Sequence, residues 1–196
     1  RTASVCREIA TRPGLDISLR RAAITDLAVH QDTTFIAELI KSLRAVTRDN
    51  AGGREIRDDL VQLLMGQPQE ALRLEIAALR ALATEKEHEG MRAAGYAAVI
   101  VARGHEDGWR FGERTDGLPH LLEGVRLIRD PNVRAGLAER ITALLAPTTR
   151  LRLRRAAILA LSSMAGIDDT TFATLAGLVR NRDEVDAAIA ALTRIP

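Results

Sequence analysis

The chain of 196 residues has few aromatic residues, one cysteine and two lysines. Aromatic residues make up only 3% of it, and the β-branched and aromatic alternation typical of strands is nowhere sustained, which disfavours a β-rich fold. A single cysteine, Cys6, excludes an intrachain disulfide and a Cys-x-x-Cys-His haem attachment within this chain. The basic residues are nearly all arginine, and the formal net charge of +2 gives only weak support to nucleic-acid binding.

Long apolar runs and export signals are also missing. No apolar run approaches the roughly 18 residues that suggest a membrane span, so none is predicted. The first residues do not form the charged, apolar and small-residue succession of a signal peptide. The sequence begins at Arg1 without a methionine, and we expect it to be part of a larger protein whose compartment the chain alone leaves open.

Apolar residues recur at helical spacing from end to end of the chain. Alanine and leucine dominate the composition, which favours helices. Aspartates before Thr33 and Pro131 resemble helix N-caps, so Asp32 and Asp130 are predicted caps. We predict an all-α fold of about ten or eleven short antiparallel helices joined by short turns. Their expected positions are 3–11, 18–30, 33–47, 54–65, 69–84, 89–103, 118–128, 131–145, 149–165 and 169–181, with a last helix from 184.

The chain also contains an internal repeat. The six letters LRRAAI stand at 19–24 and again at 153–158, and the flanking residues align over most of two helices when three extra residues are allowed in one turn. Helix pairs of this length cannot cover their apolar faces alone, and stacking on a neighbouring pair covers them. The repeat therefore predicts a tandem array of helix pairs.

The repeat carries a resemblance to a known family. Segments 20–27 (RRAAITDL), 73–79 (RLEIAAL), 92–98 (RAAGYAA) and 154–161 (RRAAILAL) resemble the Arg-x-x-Ala-x-x-Ala/Leu signature of HEAT repeats. The resemblance implies a single HEAT-like α-solenoid over 1–196. It also implies a non-catalytic protein-interaction or scaffolding module, whose partner is another protein or an adjacent domain of the same parent chain.

A second resemblance is narrower. CREIATRPGLDISLRRAAI and LPHLLEGVRLIRDPNVRAGL are similar to HEAT segments of large exported bacterial proteins that combine a dehydrogenase-like propeller with a terminal c-type cytochrome. This resemblance implies, as an alternative function, an accessory domain of an exported haem-linked oxidoreductase in the periplasm or outside the cell. The haem and the chemistry would then belong to other parts of the parent protein, so no cofactor is predicted in this chain.

One stretch, GHEDGWRFGERTDG at 104–117, interrupts the helical rhythm and is predicted to be a non-repeat loop. Trp109 and Arg110 are residue types enriched at interface hot spots, and with Phe111 and His105 they form a candidate partner-binding site. In the alternative interpretation, which we favour, the two aromatic rings fill a gap between helix layers. Neither a metal site nor a catalytic residue is predicted, because no spacing brings the required ligands or nucleophile and base together.

Arginines crowd the start of the second LRRAAI segment. Arg150, Arg152, Arg154 and Arg155 could contact phosphates on a HEAT surface, as in the HEAT-like DNA glycosylases. Alternatively, such arginines bind carbonyl groups of a preceding helix or pair with carboxylates of a neighbouring one. Because lysines are nearly absent and no aromatic residues interleave the patch for base stacking, the sequence weighs against nucleic acid as a partner.

Overall fold

The fold is all-α, as predicted. The computed structural model describes residues 2–46, 51–86, 89–164, 169–179 and 184–193, and these contain helices and turns but no strand. The helices are α1 (Thr2–Thr11), α2 (Ile17–His30), α3 (Phe35–Ala45), α4 (Ala51–Met65), α5 (Gln69–Leu74), α6 (Ile76–Ala83), α7 (Glu89–Arg103), α8 (His105–Arg114), α9 (Leu118–Gly124), α10 (Pro131–Ala135), α11 (Ala138–Ala143), α12 (Leu151–Leu161), α13 (Asp169–Leu178) and α14 (Val185–Leu192), with a 3₁₀ turn at Val125–Leu127.

Short polar side chains start several helices. The Asp16 carboxylate accepts a hydrogen bond from the Ser18 backbone N–H at 2.7 Å and caps α2. Hydrogen bonds from the Ser18 side chain and backbone hold the pKa of Asp16 below its ordinary value. Asp130 caps α10 in the same way, with Pro131 in the first helical position, as predicted.

The predicted cap at Asp32 is wrong, because Thr34 is the residue that caps α3. Asp32 has a φ of +50° and lies just after the end of α2. The N–H of Thr33 donates to the carbonyl of Ala28 at 3.0 Å, which is the hydrogen bond between the sixth and the first residue of a Schellman motif. Asp116 has a φ of +51° and occupies the same position after α8. An aspartate at either place ends a helix and does not begin one.

Two of the predicted helices are interrupted. The segment predicted as one helix at 69–84 is α5 and α6, which meet at Glu75, and the segment at 131–145 is α10 and α11, which meet at Gly136. Glycine has low helix propensity, which weakens the second of these helices at its middle. The Gly136 backbone also lies against the His105 ring, where an added Cβ would be 2.7 Å from His105 Nδ1.

The predicted loop at 104–117 is wrong, since most of it is α8. Its glycines are packing residues. A Cβ at Gly108 would lie 2.4 Å from the Ile100 side chain, and one at Gly112 would lie 2.8 Å from Leu121. Glycine therefore lets α8 approach α7 and α9 more closely than a larger residue would allow. Residues that signal a turn in the sequence here serve helix packing.

Helices that follow one another in the chain make most of the extensive contacts. α1 packs on α2, α3 on α4, α6 on α7, α8 on α9, α11 on α12 and α13 on α14. The second members of these pairs also pack in succession, from α2 to α4, α7, α9, α12 and α14. Within the described ranges, no such contact joins the first three helices to the last three. The apolar core therefore extends along the order of the chain.

The two copies of LRRAAI make matching contacts. In the first copy, the buried Arg20 of α2 donates to the Ala10 carbonyl in α1 at 3.1 Å and pairs with Asp59 of α4 at 2.8 Å. Arg154 takes the same place in the second copy, where it donates to the carbonyl of Pro147 before α12 and pairs with Glu184 at the start of α14. The arginine of each copy thus joins its helix to the segment before it and to a later helix.

Candidate functional site

Trp109 lies inside the helix array. Its side chain is 4% exposed and belongs to the apolar core, and its indole N–H donates to Glu113 Oε1 at 2.8 Å. The Arg140 guanidinium covers the ring at 5.7 Å from the centroid and also binds Glu106 at 2.6 Å. These neighbours enclose the ring that a partner would have to reach. The interpretation of Trp109 as a gap filler fits this placement, and its proposed role as a binding anchor does not.

The other three residues of the predicted contact site point to different surroundings. Phe111 is half-buried, 5.5 Å from the Tyr96 ring centroid, with the Arg80 guanidinium at a similar distance over its face. His105 is half-buried against Gly136. Arg110 is exposed and lies 4.0 Å from Asp107 on the same helix. The structure therefore does not gather them into one accessible patch.

The arginine cluster at the start of α12 divides into two groups. Arg154 is held by Glu184 and by the Pro147 carbonyl, so it acts as the structural arginine of its repeat. Arg150, Arg152 and Arg155 are exposed. Of the four candidate phosphate ligands, these three are the solvent-exposed ones.

Arg152 and Arg155 line a groove between α9 and α12. The groove has a volume of about 600 Å³ and is lined by two helix faces whose residues recur at three- and four-residue steps. Those residues are Pro119, Leu122, Glu123 and Arg126 from the α9 side, and Leu151, Arg152, Arg155, Ala156, Leu159 and Ala160 from α12. A volume of this size is within the range of ligand-binding clefts.

The floor of the groove is apolar and its rim is charged. Leu122 and Ala160 are buried beneath it, while Leu159 leaves 40% of its surface exposed to solvent. Arg126 and Arg152 form no ion pair with any residue that the structure describes. Leu159 is one of several large apolar side chains that the described chain exposes, and it lines the same groove as these two arginines.

A smaller cavity of about 360 Å³ extends the groove past Pro119 and Arg152. Arg92 and Arg150 line it together with the buried His120, whose Nδ1 is 3.4 Å from Glu123 Oε2. Arg92 also donates to the Ala83 carbonyl at 3.2 Å, which fixes its stem against α6. The extension is more polar than the main groove, and its basic groups lengthen the positively charged rim.

Part of this surface was beyond prediction from the sequence. Arg126 and Glu123 belong to no motif, and their only signal is the three- and four-residue spacing that they share with Pro119 and Leu122 along α9 and the 3₁₀ turn after it. That spacing cannot indicate which helix lies opposite. The contact between α9 and α12 makes the two faces into one groove.

Two other classes of site are absent from the described residues. None of their helices combines the length and the apolar character that a bilayer crossing requires. In the same part of the chain, no three histidine, cysteine or acidic side chains come together as metal ligands would.

Known proteins were compared with the chain by sequence and by fold. No protein-family model, no curated protein and no solved structure matches it.

Proposed function

We propose that the chain is a non-catalytic protein-binding module, built as a HEAT-like α-solenoid, that docks another protein or a neighbouring domain of a larger parent protein. The succession of packing from α2 through α14 supports a row of helix pairs, since each pair leans mainly on the next one. The matching contacts of Arg20 and Arg154 support it independently, because two copies of one sequence make the same kind of joint at two places along the row.

The observation that carries the binding function is the groove between α9 and α12. Its exposed Leu159 presents apolar surface to solvent above the buried Leu122. Apolar clefts with a charged rim are typical of surfaces that bind a partner. The burial of Trp109 gives no support to the other candidate surface, on α8.

A selection from a random peptide library displayed on phage tests this function. The whole chain serves as the immobilised target, and we expect enriched peptides whose binding is lost in Leu159→Glu. This substitution places a carboxylate on the groove floor, where the wild-type side chain is already 40% exposed, so folding should be retained. Val29→Glu is the matched control, because Val29 is 76% exposed on α2 and does not line the groove.

The outcomes separate the alternatives. Enriched peptides that bind Leu159→Glu as well as they bind the wild type would contradict a binding function for this groove. Absence of any enriched peptide would contradict the proposal as a whole. Tighter groove-dependent binding of single-stranded DNA than of any peptide would instead favour a nucleic-acid-binding protein, and that binding would fall steeply with salt.

A further inference from the structure

We propose that the groove between α9 and α12 binds an acidic amphipathic helix of a protein partner. The inference rests on the proposed binding function and adds the chemistry of the partner. In this arrangement the apolar face of the partner helix covers Leu151, Ala156 and Leu159, while its acidic residues meet Arg126 and Arg152 at the rim.

The shape of the groove suits a helix. Its two walls are helices packed on each other, and a third helix laid in such a trough contacts both with one apolar stripe. The α12 wall extends from Leu151 to Ala160, which corresponds to about 14 Å at a rise of 1.5 Å per residue. Two to three turns of a bound helix would therefore lie against the apolar floor.

The charge of the groove selects an acidic partner. Arg126 and Arg152 border it and have no ion pair within the described part of the chain, against a single glutamate. Some arginines elsewhere in the chain are paired internally, as Arg20 is with Asp59 and Arg140 is with Glu106. Arg126 and Arg152 can form charge-assisted hydrogen bonds with carboxylates from outside the chain.

The groove floor argues against a nucleic acid as occupant. A phosphate backbone has no apolar group that could pack on Leu122, Leu151 and Leu159. Neither the groove nor its extension is lined by a phenylalanine, tyrosine or tryptophan of the described chain that could stack on a base. A peptide helix uses both the apolar floor and the basic rim, and a nucleic acid would use only the rim.

Designed peptides test the inference directly. The probe is a labelled peptide of about 18 residues, long enough to form a helix, with a leucine stripe flanked by glutamates. A second peptide has every glutamate replaced by lysine. We expect fluorescence anisotropy with the whole chain at low salt to show at least about tenfold tighter binding of the acidic peptide, and the difference should shrink as salt is raised.

Charge-reversal variants locate the binding. Arg126→Glu and Arg152→Glu should each weaken the acidic peptide about three- to tenfold, because each replaces an attraction by a repulsion. Arg21→Glu is the matched control, since Arg21 is the exposed counterpart of Arg155 in the first copy of the repeat and lies outside the groove. Circular dichroism of each variant checks that the helices are intact.

Several results would overturn the inference. They are equal binding of the acidic and basic peptides, no binding of the acidic peptide at all, or an effect of Arg152→Glu no larger than that of Arg21→Glu. If library peptides bind the groove in a Leu159-dependent manner but are neutral or basic, the binding function stands and only the acidic-helix inference fails. Stronger groove-dependent binding of single-stranded DNA of equal charge overturns both.

Discussion

Replacing Asp59 by alanine should destabilise the protein strongly, because it removes the main partner of a buried charge. Arg20 is fully buried, and its Nε pairs with Asp59 Oδ2 at 2.8 Å. Without that carboxylate, the guanidinium keeps only the Ala10 carbonyl at 3.1 Å and Glu55 at 3.9 Å. Its Nη2 already has no hydrogen-bond partner, so the remaining contacts cannot compensate for its burial.

The expected magnitude follows from the cost of an unpaired buried ion. Breaking a buried pair by removing one partner costs about 3–5 kcal/mol, and the value here should be about 2–4 kcal/mol because the Asp59 side chain is 24% exposed and water can enter. For a chain of this size, a change of that magnitude lowers Tm by roughly 5–15 °C. The effect should be seen by calorimetry at pH 7 and low salt.

Replacing Arg20 should lower the free energy of unfolding less than removing the carboxylate that pairs with it. Arg20→Met keeps an unbranched apolar stem in the core and leaves Asp59 partly solvated, so we expect a loss of only about 1 kcal/mol. The double variant Arg20→Met, Asp59→Ala should then be close to Arg20→Met alone, because the two losses share one interaction. Asp58→Ala is the control, since Asp58 is exposed on the same helix.

The reasoning would be refuted by either of two results. One is an Asp59→Ala variant as stable as Asp58→Ala, which would mean that water or Glu55 satisfies the guanidinium. The other is strict additivity in the double variant, which would mean that Arg20 and Asp59 stabilise the fold separately. The same cycle at Arg154 and Glu184 should give coupling of the same sign, because those residues occupy the equivalent joint.

Three further predictions concern the core and the shape. Trp109→Ala should lower the free energy of unfolding by about 3–5 kcal/mol. Trp109→Phe should lower it by about 1 kcal/mol, because this variant loses the hydrogen bond to Glu113. An unchanged Tm for the alanine variant would contradict burial of the ring. Gly117→Ala places a Cβ 1.7 Å from Tyr96 Oη and should lower the free energy of unfolding by about 1–3 kcal/mol in urea denaturation. Gly177→Ala meets nothing within 4 Å and should be neutral or stabilise α13 by up to about 1 kcal/mol. Equal effects of the two variants would show that the overlap at Gly117 relaxes without cost. Small-angle X-ray scattering should give a radius of gyration near 19 Å for helix pairs stacked about 9–10 Å apart, and a value near 16 Å would indicate a compact bundle instead.

The sequence predicts the helices better than their packing. Apolar residues at helical spacing set the periodicity of α2, α3, α7 and α12, because a helix must bury one face. The repeated LRRAAI also predicts a structural use of its arginines, and Arg20 and Arg154 confirm the interpretation that such residues bind carbonyls and carboxylates of neighbouring helices.

The segment at 104–117 shows where local signals are insufficient. Gly104, Gly108, Gly112 and Gly117 make it similar to a loop, yet a glycine inside a helix is also what close approach of a second helix requires. The two cases differ only in the neighbour that lies opposite, and that neighbour is Ile100 for Gly108. Local composition does not contain this information.

The binding surface depends on pairing in the same way. Arg152 and Arg154 are two residues apart and chemically identical in the sequence. Their difference comes from Glu184, which lies 30 residues away from Arg154 in the chain and approaches only one of them. Whether an arginine is available to a partner is therefore a property of the packed helices.

The joints made by Arg20 and Arg154 bear on how such a chain could grow. Each guanidinium binds a carbonyl of the preceding segment and a carboxylate on a later helix, so one arginine links its helix to the segments on both sides. A duplicated gene segment that encodes the residues with the arginine, the carbonyl and the carboxylate would supply the contacts needed at both of its junctions. Lengthening by copying is then easier than lengthening by unrelated helices, whose ends would need new attachments.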